Sequence, residues 1–273
     1  MSDVLVERQG HTTVITLHRP EKHNAFTTAM GDELTGVMAE FDRDPDQYVA
    51  VITGAGDRAF SSGFDLSEMA NRFGSGNVST GVTSVDLWGV GNSPKPTIAA
   101  VNGLAVAGGF ELALNCDIRV AADTAWFGLF EVKRGIMAGV GVNMLARYLP
   151  FGEALYLLMT ADRLSAEDAA RLGLVQRLVP PEQLMETAMG IAEKIGANSQ
   201  VAVQASKQVA YQWRNLAIRE QVEFYRAVNQ RLMLCEDALE GSRAFVEKRD
   251  PVFVNRWATA STMQRARRTE GGT

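Results

Sequence analysis

A glycine pair and two glutamates are the residues of this chain whose types and spacing could carry out chemistry. Gly108 and Gly109 directly precede Phe110 and Glu111, and Glu131 follows in an apolar stretch. Glycines let the backbone approach a ligand closely, and the first N–H groups of a helix have no intrahelical acceptor. If this segment is a strand-to-helix turn, the Gly108 N–H can point at a substrate oxygen. That donor could stabilise an oxyanion, and the two carboxyls beside it could move protons.

The two glutamates are predicted to differ in pKa. Glu111 would lie in the first turn of a helix, where the helix dipole favours the ionised form, so it is the better candidate for a base. Glu131 has apolar neighbours, which raise the pKa of a carboxyl, and an ionised Glu111 would raise it further. Two carboxyls with separated pKa values form an acid and base pair. The alternative places Glu111 on a helix surface and Glu131 in a salt bridge.

The sequence lacks the residue patterns that other common catalytic mechanisms require. The histidines are His11, His18 and His23, all near the start of the chain, and no G-x-S-x-G sequence occurs. No C-x-x-C, H-E-x-x-H or EF-hand sequence occurs either, so no metal ligands are predicted. The segment 54–59 fits the dinucleotide pattern G-x-G-x-x-A, but small residues follow where a helix would have to begin. A metal-free carboxylate mechanism remains.

Composition excludes several partners. The 273 residues are 46% apolar and carry a net charge of −5, which gives no reason to expect nucleic acid or an anionic membrane as a partner. The N-terminus shows no signal peptide pattern, and the longest apolar region, from Ile98 to Leu114, is interrupted by Asn102 and Glu111. Two cysteines suit a reducing compartment, so we expect a cytoplasmic protein.

Strands and helices are predicted to alternate in the first half of the chain. Apolar alternation from Val4 to Leu17 predicts two strands with a turn at Gly10, and Thr27 or Thr28 can cap a helix that ends before Pro45. Further strands are predicted at 48–53, 98–101 and 118–121. This alternation is typical of an α/β fold. The segment Asn71 to Asn92 is rich in small polar residues and is predicted to be a mobile loop over a site.

The second half of the chain is predicted to be mostly helical. Ser165 and Asp168 form a capping box before a short helix that ends at Gly173. Pro181 predicts the start of a helix that Gly196 ends, and later helices are predicted at 199 onward, 217–234 and 238–248. We therefore expect a core over residues 1–196 and a helical C-terminal region over 197–273 that contributes subunit contacts.

In this order and spacing, several segments resemble the crotonase superfamily, specifically the enoyl-CoA hydratase/isomerase family. They are 17–25 (LHRPEKHNA), 59–66 (AFSSGFDL), 95–103 (KPTIAAVNG), 108–117, 127–136 and 244–249 (AFVEKR). The resemblance covers nearly the whole chain. It implies an α/β fold, a crotonase-like spiral of ββα units with a helical C-terminal region, and assembly as a homotrimer or homohexamer.

The resemblance also implies a site for an acyl-CoA thioester. The N–H groups of Phe64 and Gly108 would form the oxyanion hole, and Glu111 and Glu131 would be the catalytic carboxyls. Arg58, Ser62, Asp65 and Gly139 would contribute to substrate binding, with Arg58 placed to meet phosphates. Coenzyme A would enter as part of the substrate, so no separate cofactor is expected.

Departures from the family pattern lie beside the second glutamate. Phe130 replaces the usual proline, and Met137-Ala138-Gly139 replaces the usual Ile-Pro-Gly. The resemblance implies that these residues approach the acyl chain, so an unusual acyl chain is expected.

The leading prediction is an enoyl-CoA hydratase. Alternatives are a dehydratase of a substituted acyl-CoA, as in carnitinyl-CoA dehydratases, a double-bond isomerase, or a non-catalytic acyl-CoA-binding or interaction subunit. The acidic pI of 5.4 disfavours an RNA-binding relative.

Overall fold

In the computed structural model, the described residues are 2–65, 67–68, 86–134, 137–212, 227–229, 231–232 and 235–257. The chain divides into two compact units, Met1–Glu193 and Lys194–Thr273. The expected roles of residues 1–196 in acyl-CoA binding and of 197–273 in oligomerisation stay predictions.

Ten strands in the described residues form two sheets. They are β1 (Val4–Gln9), β2 (Thr12–Leu17), β3 (Val49–Gly54), β4 (Ala59–Ser61), β5 (Thr97–Val101), β6 (Leu104–Val106), β7 (Ile118–Ala122), β8 (Trp126–Gly128), β9 (Leu164–Ser165) and β10 (Arg177–Val179). The larger sheet has the order β1-β2-β3-β5-β7-β10, and the smaller has the order β4-β6-β8-β9. Only the β1–β2 and β8–β9 pairs among these are antiparallel.

Eight α-helices are described. They are α1 (Thr28–Arg43), α2 (Gly108–Asn115), α3 (Gly139–Tyr148), α4 (Phe151–Thr160), α5 (Ala166–Arg171), α6 (Leu184–Gly196), α7 (Gln200–Gln212) and α8 (Glu236–Glu247). Short 3-10 turns cover Pro20–Lys22, Glu131–Arg134 and Pro181–Gln183. None of the described helices is long and apolar enough to cross a membrane.

The elements with strong local signals form where the sequence predicted them. The hairpin turns at Gly10, and Thr27 caps α1 by accepting a hydrogen bond from the Met30 N–H at 3.1 Å. The Ser165 hydroxyl accepts from the Asp168 N–H at 3.0 Å, and Gly173 follows α5 with a φ of +81°. Each signal acts over only a few residues, which is why it can be recognised without tertiary structure.

The dinucleotide pattern at 54–59 does not begin a helix. The chain turns after β3 and continues directly into β4, so no helix N-terminus is available there to bind a pyrophosphate. The predicted mobile loop at 71–92 and the predicted helix at 217–234 lie largely outside the described residues.

The core of the first unit lies between the sheets and the helices that cover them. Strands β3 and β5 are buried along their whole length, as expected for central parallel strands. Helix α1 buries one face, which consists of Met30, Gly31, Leu34, Met38 and Phe41. Helix α2 is buried at every position, including Glu111. A charged residue in such a helix is costly to bury and is therefore a candidate for function.

The second unit is held partly by a polar cluster. The Ser199 hydroxyl donates to Asp237 Oδ2 at 2.6 Å, and Asp237 Oδ1 accepts from the Val254 N–H at 2.7 Å. The Gln200 N–H donates to Asn255 Oδ1 at 2.8 Å. These bonds tie the N-terminus of α7 to α8 and to the segment after it.

Candidate active site

The site begins at the turn between β6 and α2. Ala107 has a φ of +50°, a conformation that non-glycine residues rarely adopt, and its N–H donates to Gly128 O at 2.8 Å. This bond joins the end of β6 to the end of β8, just before Glu131. The strained turn therefore sets where α2 begins relative to the segment that carries the second glutamate.

A second turn packs directly against the first. Gly63 has a φ of +84°, and a Cβ placed on it would lie 2.8 Å from the Gly108 nitrogen. A Cβ on Gly109 would collide with the Ser61 carbonyl oxygen. Both positions need glycine because any side chain would push apart the two turns that carry Phe64 and Gly108.

The backbone N–H groups of Phe64 and Gly108 have no hydrogen-bond acceptor among the described residues. A parallel bridge joins Phe26 to Phe64: the Phe26 N–H donates to Gly63 O, and the Asp65 N–H donates to Phe26 O, both at 2.8 Å. This pattern turns the Phe64 N–H away from Phe26. Gly108 is the first residue of α2, where N–H groups have no intrahelical acceptor.

Glu111 is 2% exposed and lies against the first turn of α3. Its Oε1 accepts a hydrogen bond from the Gly141 N–H at 2.8 Å, and the Val140 N–H also stabilises the carboxylate. Burial nevertheless raises the pKa of Glu111, and these two N–H groups only partly oppose the shift. The expectation that the dipole of α2 would favour the ionised form gave the wrong direction for this pKa, because desolvation dominates.

Glu131 is 8% exposed and begins a 3-10 turn. Burial, with a smaller contribution from the charge of Glu111, raises its pKa from 4.5 to about 7, which confirms the predicted direction. Its Oε2 is buried and has no hydrogen-bond partner among the described residues. The alternative of a surface helix position and a salt bridge is wrong for both carboxyls: each is buried, and no described ion pair involves either.

The unusual Phe130 packs beside this site. A Cβ on Gly128 would lie 2.7 Å from the Phe130 ring, and the Lys133 ammonium lies 5.4 Å from the ring centroid. Lys133 also donates to Ala161 O at 2.8 Å. The phenyl ring thus fills the space against the end of β8 and is held there by a cation.

The four other predicted site residues are Arg58, Ser62, Asp65 and Gly139, and the structure shows what each of them contacts. Arg58 and Ser62 both contact the turn before α1: Arg58 Nη2 donates to Pro20 O at 3.1 Å, and the Ser62 hydroxyl donates to Lys22 O at 3.4 Å. Asp65 accepts from the Ser67 N–H at 3.0 Å, and hydrogen bonds from Ser67 lower its pKa. Gly139 begins α3, one residue before the N–H groups that face Glu111.

Two residues that were not predicted to contact Glu111 contribute to the site. Val140 and Gly141 supply the N–H groups that hold the Glu111 carboxyl. The sequence feature that could have indicated this contact is the pair of glycines at 139 and 141, because glycines at the start of a helix allow another group to approach its backbone closely. Within the described residues, no cluster of potential metal ligands is present.

Comparisons with known proteins identify the family of this chain. A model of the enoyl-CoA hydratase/isomerase family matches residues 7–256. The (E)-benzylidenesuccinyl-CoA hydratase of Thauera aromatica is 37% identical over 258 residues, which are 92% of this chain and 98% of that protein. The carnitinyl-CoA dehydratase of Escherichia coli O157:H7 is 38% identical over 268 residues, covering 94% of this chain and 100% of that protein.

A solved structure confirms the expected fold class. The enoyl-CoA hydratase from Bacillus anthracis superposes with a TM-score of 0.87 at 34% identity, over 93% of this chain and 100% of that chain. The α/β fold of crotonase type, which the resemblance implied from sequence, is therefore correct.

Proposed function

The chain belongs to the enoyl-CoA hydratase/isomerase family, and we propose that it is a hydro-lyase that adds water reversibly to a 2-enoyl-CoA thioester. One arrangement carries this proposal: two buried carboxyls with raised pKa values lie beside two turns whose N–H groups have no acceptor among the described residues. The family supports several reactions, so the reaction is argued from these groups.

The oxyanion donors are the N–H groups of Phe64 and Gly108. They bind the thioester oxygen and stabilise the negative charge that builds there when water attacks Cβ. Such donors act in a site that excludes water, and removing one typically slows the reaction by about 10² to 10³. Support comes from the contact between the two turns, which Gly63 and Gly109 make possible.

The proton steps use both glutamates. Glu111 removes a proton from the attacking water as its oxygen bonds to Cβ, and the electron pair of the double bond moves toward the thioester oxygen. As the enolate collapses, Cα takes a proton from Glu131. The net result is one water added across the double bond, and dehydration reverses each transfer.

The environments of the carboxyls support these roles. Glu111 accepts N–H hydrogen bonds that favour its ionised form, whereas Glu131 Oε2 has no partner among the described residues and the pKa of Glu131 is about 7. A carboxyl with such a pKa is protonated often enough near neutral pH to act as an acid. The two groups interact, so the measured pKa values belong to the pair.

Coenzyme A binding is assigned to the surface around the turn before α1. Arg58 is exposed there and can meet phosphates, and Ser62 lies beside the same turn. Asp65 and Gly139 complete the proposed substrate contacts.

Assembly as a homotrimer or homohexamer in the cytoplasm is part of the proposal. Helix α4 leaves Phe151 and Met159 exposed by 67% and 68%, and such apolar surface commonly marks an interface. Both cysteines are buried and neither forms a disulfide, which suits a reducing compartment. Light scattering of the purified protein measures the assembly directly.

Turnover of crotonyl-CoA tests the reaction, followed by loss of the ultraviolet absorbance of the enoyl thioester. Glu111→Gln and Glu131→Gln should each lower kcat by at least about 10², because each removes one acid or base. Glu182→Gln, an exposed glutamate, is the matched control and should retain full activity. Full turnover in either active-site variant would contradict the assignment.

Product analysis separates the alternatives. A double-bond isomerase would convert 3-enoyl to 2-enoyl thioesters without adding water, and a non-catalytic binding subunit would turn over neither. Dehydration of a substituted acyl-CoA is the second candidate. It is favoured by the similarity to a carnitinyl-CoA dehydratase and by the unusual residues Phe130 and Ala138 beside Glu131.

A further inference from the structure

Ser61 is a fully buried polar residue beside the candidate site, and the proposed proton and charge transfers do not use it. It is the last residue of β4 and comes just before Gly63 and Phe64 in the chain. Its side chain is 0% exposed, so it does not line the space that a substrate would occupy. Burying a hydroxyl is costly unless it forms hydrogen bonds, so its bonds indicate its role.

The Ser61 hydroxyl connects two segments that are distant in sequence. Its Oγ donates to Asn24 O at 2.8 Å and accepts from the Gly63 N–H at 3.1 Å. Because a hydroxyl has a single hydrogen, the bond to Asn24 leaves a lone pair of Oγ for the Gly63 N–H. The hydroxyl therefore fixes one end of Gly63, the residue that directly precedes Phe64.

The acceptor of this bond is itself held firmly. Asn24 is 0% exposed and has a φ of +53°. Its Oδ1 accepts from the Arg19 N–H at 3.0 Å, and its Nδ2 donates to Ala59 O, in the same strand as Ser61, at 2.8 Å. Two side-chain bonds thus join the turn around Asn24 to β4. The Asn24 carbonyl is a fixed point against which the Ser61 hydroxyl can hold Gly63.

The backbone of Ser61 meets the segment that carries the second proposed oxyanion donor. Helix α2 begins at Gly108, and Gly109 follows in its first turn. A Cβ on Gly109 would collide with Ser61 O and would lie 2.9 Å from Ser61 Cβ, so the helix begins in direct contact with this serine. One residue therefore touches both segments of the proposed oxyanion hole.

Gly63 needs such a restraint because glycine has more conformational freedom than any other residue. Its carbonyl accepts from the Phe26 N–H at 2.8 Å, while its own N–H is held by Ser61. With both ends of Gly63 fixed, the direction of the Phe64 N–H is fixed as well. Oxyanion donors act at about 2.7–3.1 Å from the developing charge, so a small rotation of this peptide would weaken the bond.

We propose that Ser61 is a positioning residue whose hydroxyl sets the direction and separation of the Phe64 and Gly108 N–H groups. It acts on the reaction only through these donors and does not touch the substrate. The inference rests on the proposed function, in which the two N–H groups stabilise the charge on the thioester oxygen.

Ser61→Ala and Ser61→Cys test the hydroxyl. The first variant keeps the Cβ that contacts Gly109 and removes both hydrogen bonds, whereas the second nearly keeps the volume but has only a weak donor and acceptor. Because the oxyanion donors stay but lose their alignment, we expect kcat for crotonyl-CoA to fall about tenfold in Ser61→Ala, less than on losing a donor, with KM within about twofold. Ser61→Cys should resemble it. Parental kcat in Ser61→Cys would show that the residue only fills space and would overturn the proposal.

Ser93→Ala is the matched control. Ser93 is 2% exposed, and its hydroxyl also makes two such bonds: it donates to Asp42 Oδ1 at 2.7 Å and accepts from the Lys95 N–H at 3.2 Å. None of these residues belongs to the proposed site. Urea unfolding should show a similar loss of stability in Ser93→Ala and Ser61→Ala, while kcat falls only in Ser61→Ala. An equal fall of kcat in the control would attribute the effect to stability and would contradict the positioning role.

Infrared difference spectra report the alignment of the donors without turnover. The carbonyl stretch of butyryl-CoA, isotopically labelled at the thioester carbon, should move to lower frequency when the two N–H groups bind its oxygen. This shift should be smaller in Ser61→Ala and unchanged in Ser93→Ala. An unchanged shift in Ser61→Ala would refute the positioning role even if kcat fell.

The same spectra separate this inference from the reaction itself. A reduced carbonyl shift in Ser61→Ala, in a protein that hydrates no enoyl thioester, would refute the proposed function alone. Hydration of crotonyl-CoA by the parent chain, with kcat and carbonyl shift both unchanged in Ser61→Ala, would refute only the role of Ser61.

Discussion

Glu111 Oε1 and the Gly141 N–H form a hydrogen bond of 2.8 Å across 30 residues of sequence. It places a buried carboxylate at the positive end of α3, although Glu111 itself belongs to the first turn of α2. The charged form is thereby stabilised by two helices, and burial still raises the pKa of Glu111. The protonation state of this residue is decided by that balance.

Replacing Gly141 by proline should raise the pKa of Glu111 further, because proline has no N–H to donate. We expect the acidic limb of the pH profile of kcat/KM to move to higher pH. Gly141→Ala is the matched control. It adds a Cβ that would meet the same Leu129 side chain at 2.6 Å, but it keeps the donor. An identical pH profile in both variants would show that the N–H does not set this pKa.

Glu131 should make stability depend on pH. Its pKa rises from 4.5 to about 7 on folding, so the folded chain holds this proton more tightly than the unfolded chain. The free energy of unfolding should therefore fall as pH rises from about 4.5 to about 7. Glu131→Gln cannot ionise and should gain in Tm relative to the parent chain across this window. A constant difference in Tm from acid to alkaline pH would contradict the raised pKa.

Gly63→Ala should damage both stability and activity. At a φ of +84° the alanine is strained by about 1–2 kcal/mol, and its Cβ would press on the Gly108 nitrogen. Because this separates the two proposed oxyanion donors, kcat should fall by about 10². Urea unfolding and crotonyl-CoA turnover measure the two effects. The control is Gly152→Ala, where a Cβ meets nothing within 4 Å; it should leave both properties nearly unchanged.

Arg119 should be essential for stability because it satisfies buried backbone carbonyls. Its side chain is fully buried and donates to Leu174 O and Cys116 O, both at 2.6 Å, and it stacks on Tyr148 with 4.6 Å to the ring centroid. Arg119→Leu leaves these carbonyls without their donor and should lower the free energy of unfolding by about 2–4 kcal/mol. Arg43→Leu, an exposed arginine of α1, should change it by about 0.5 kcal/mol or less.

The sequence alone determined the elements whose signals are local. The hairpin at Gly10, the cap at Thr27 and the capping box at Ser165 each depend on interactions within a few residues, so each was predictable. The order and spacing of motifs also identified the family, and with it the α/β fold. The apolar surroundings of Glu131 correctly predicted the direction of its pKa shift.

The tertiary structure alone decided how the site is assembled. The bond from Gly141 to Glu111, the contact of Gly63 with Gly108 and the bond from Ser61 to Asn24 join segments that are distant in sequence. Whether burial or hydrogen bonding dominates the pKa of Glu111 depends on how much water these contacts exclude. The amount of water excluded cannot be read from residue order, because desolvation depends on all the segments that surround a group in space.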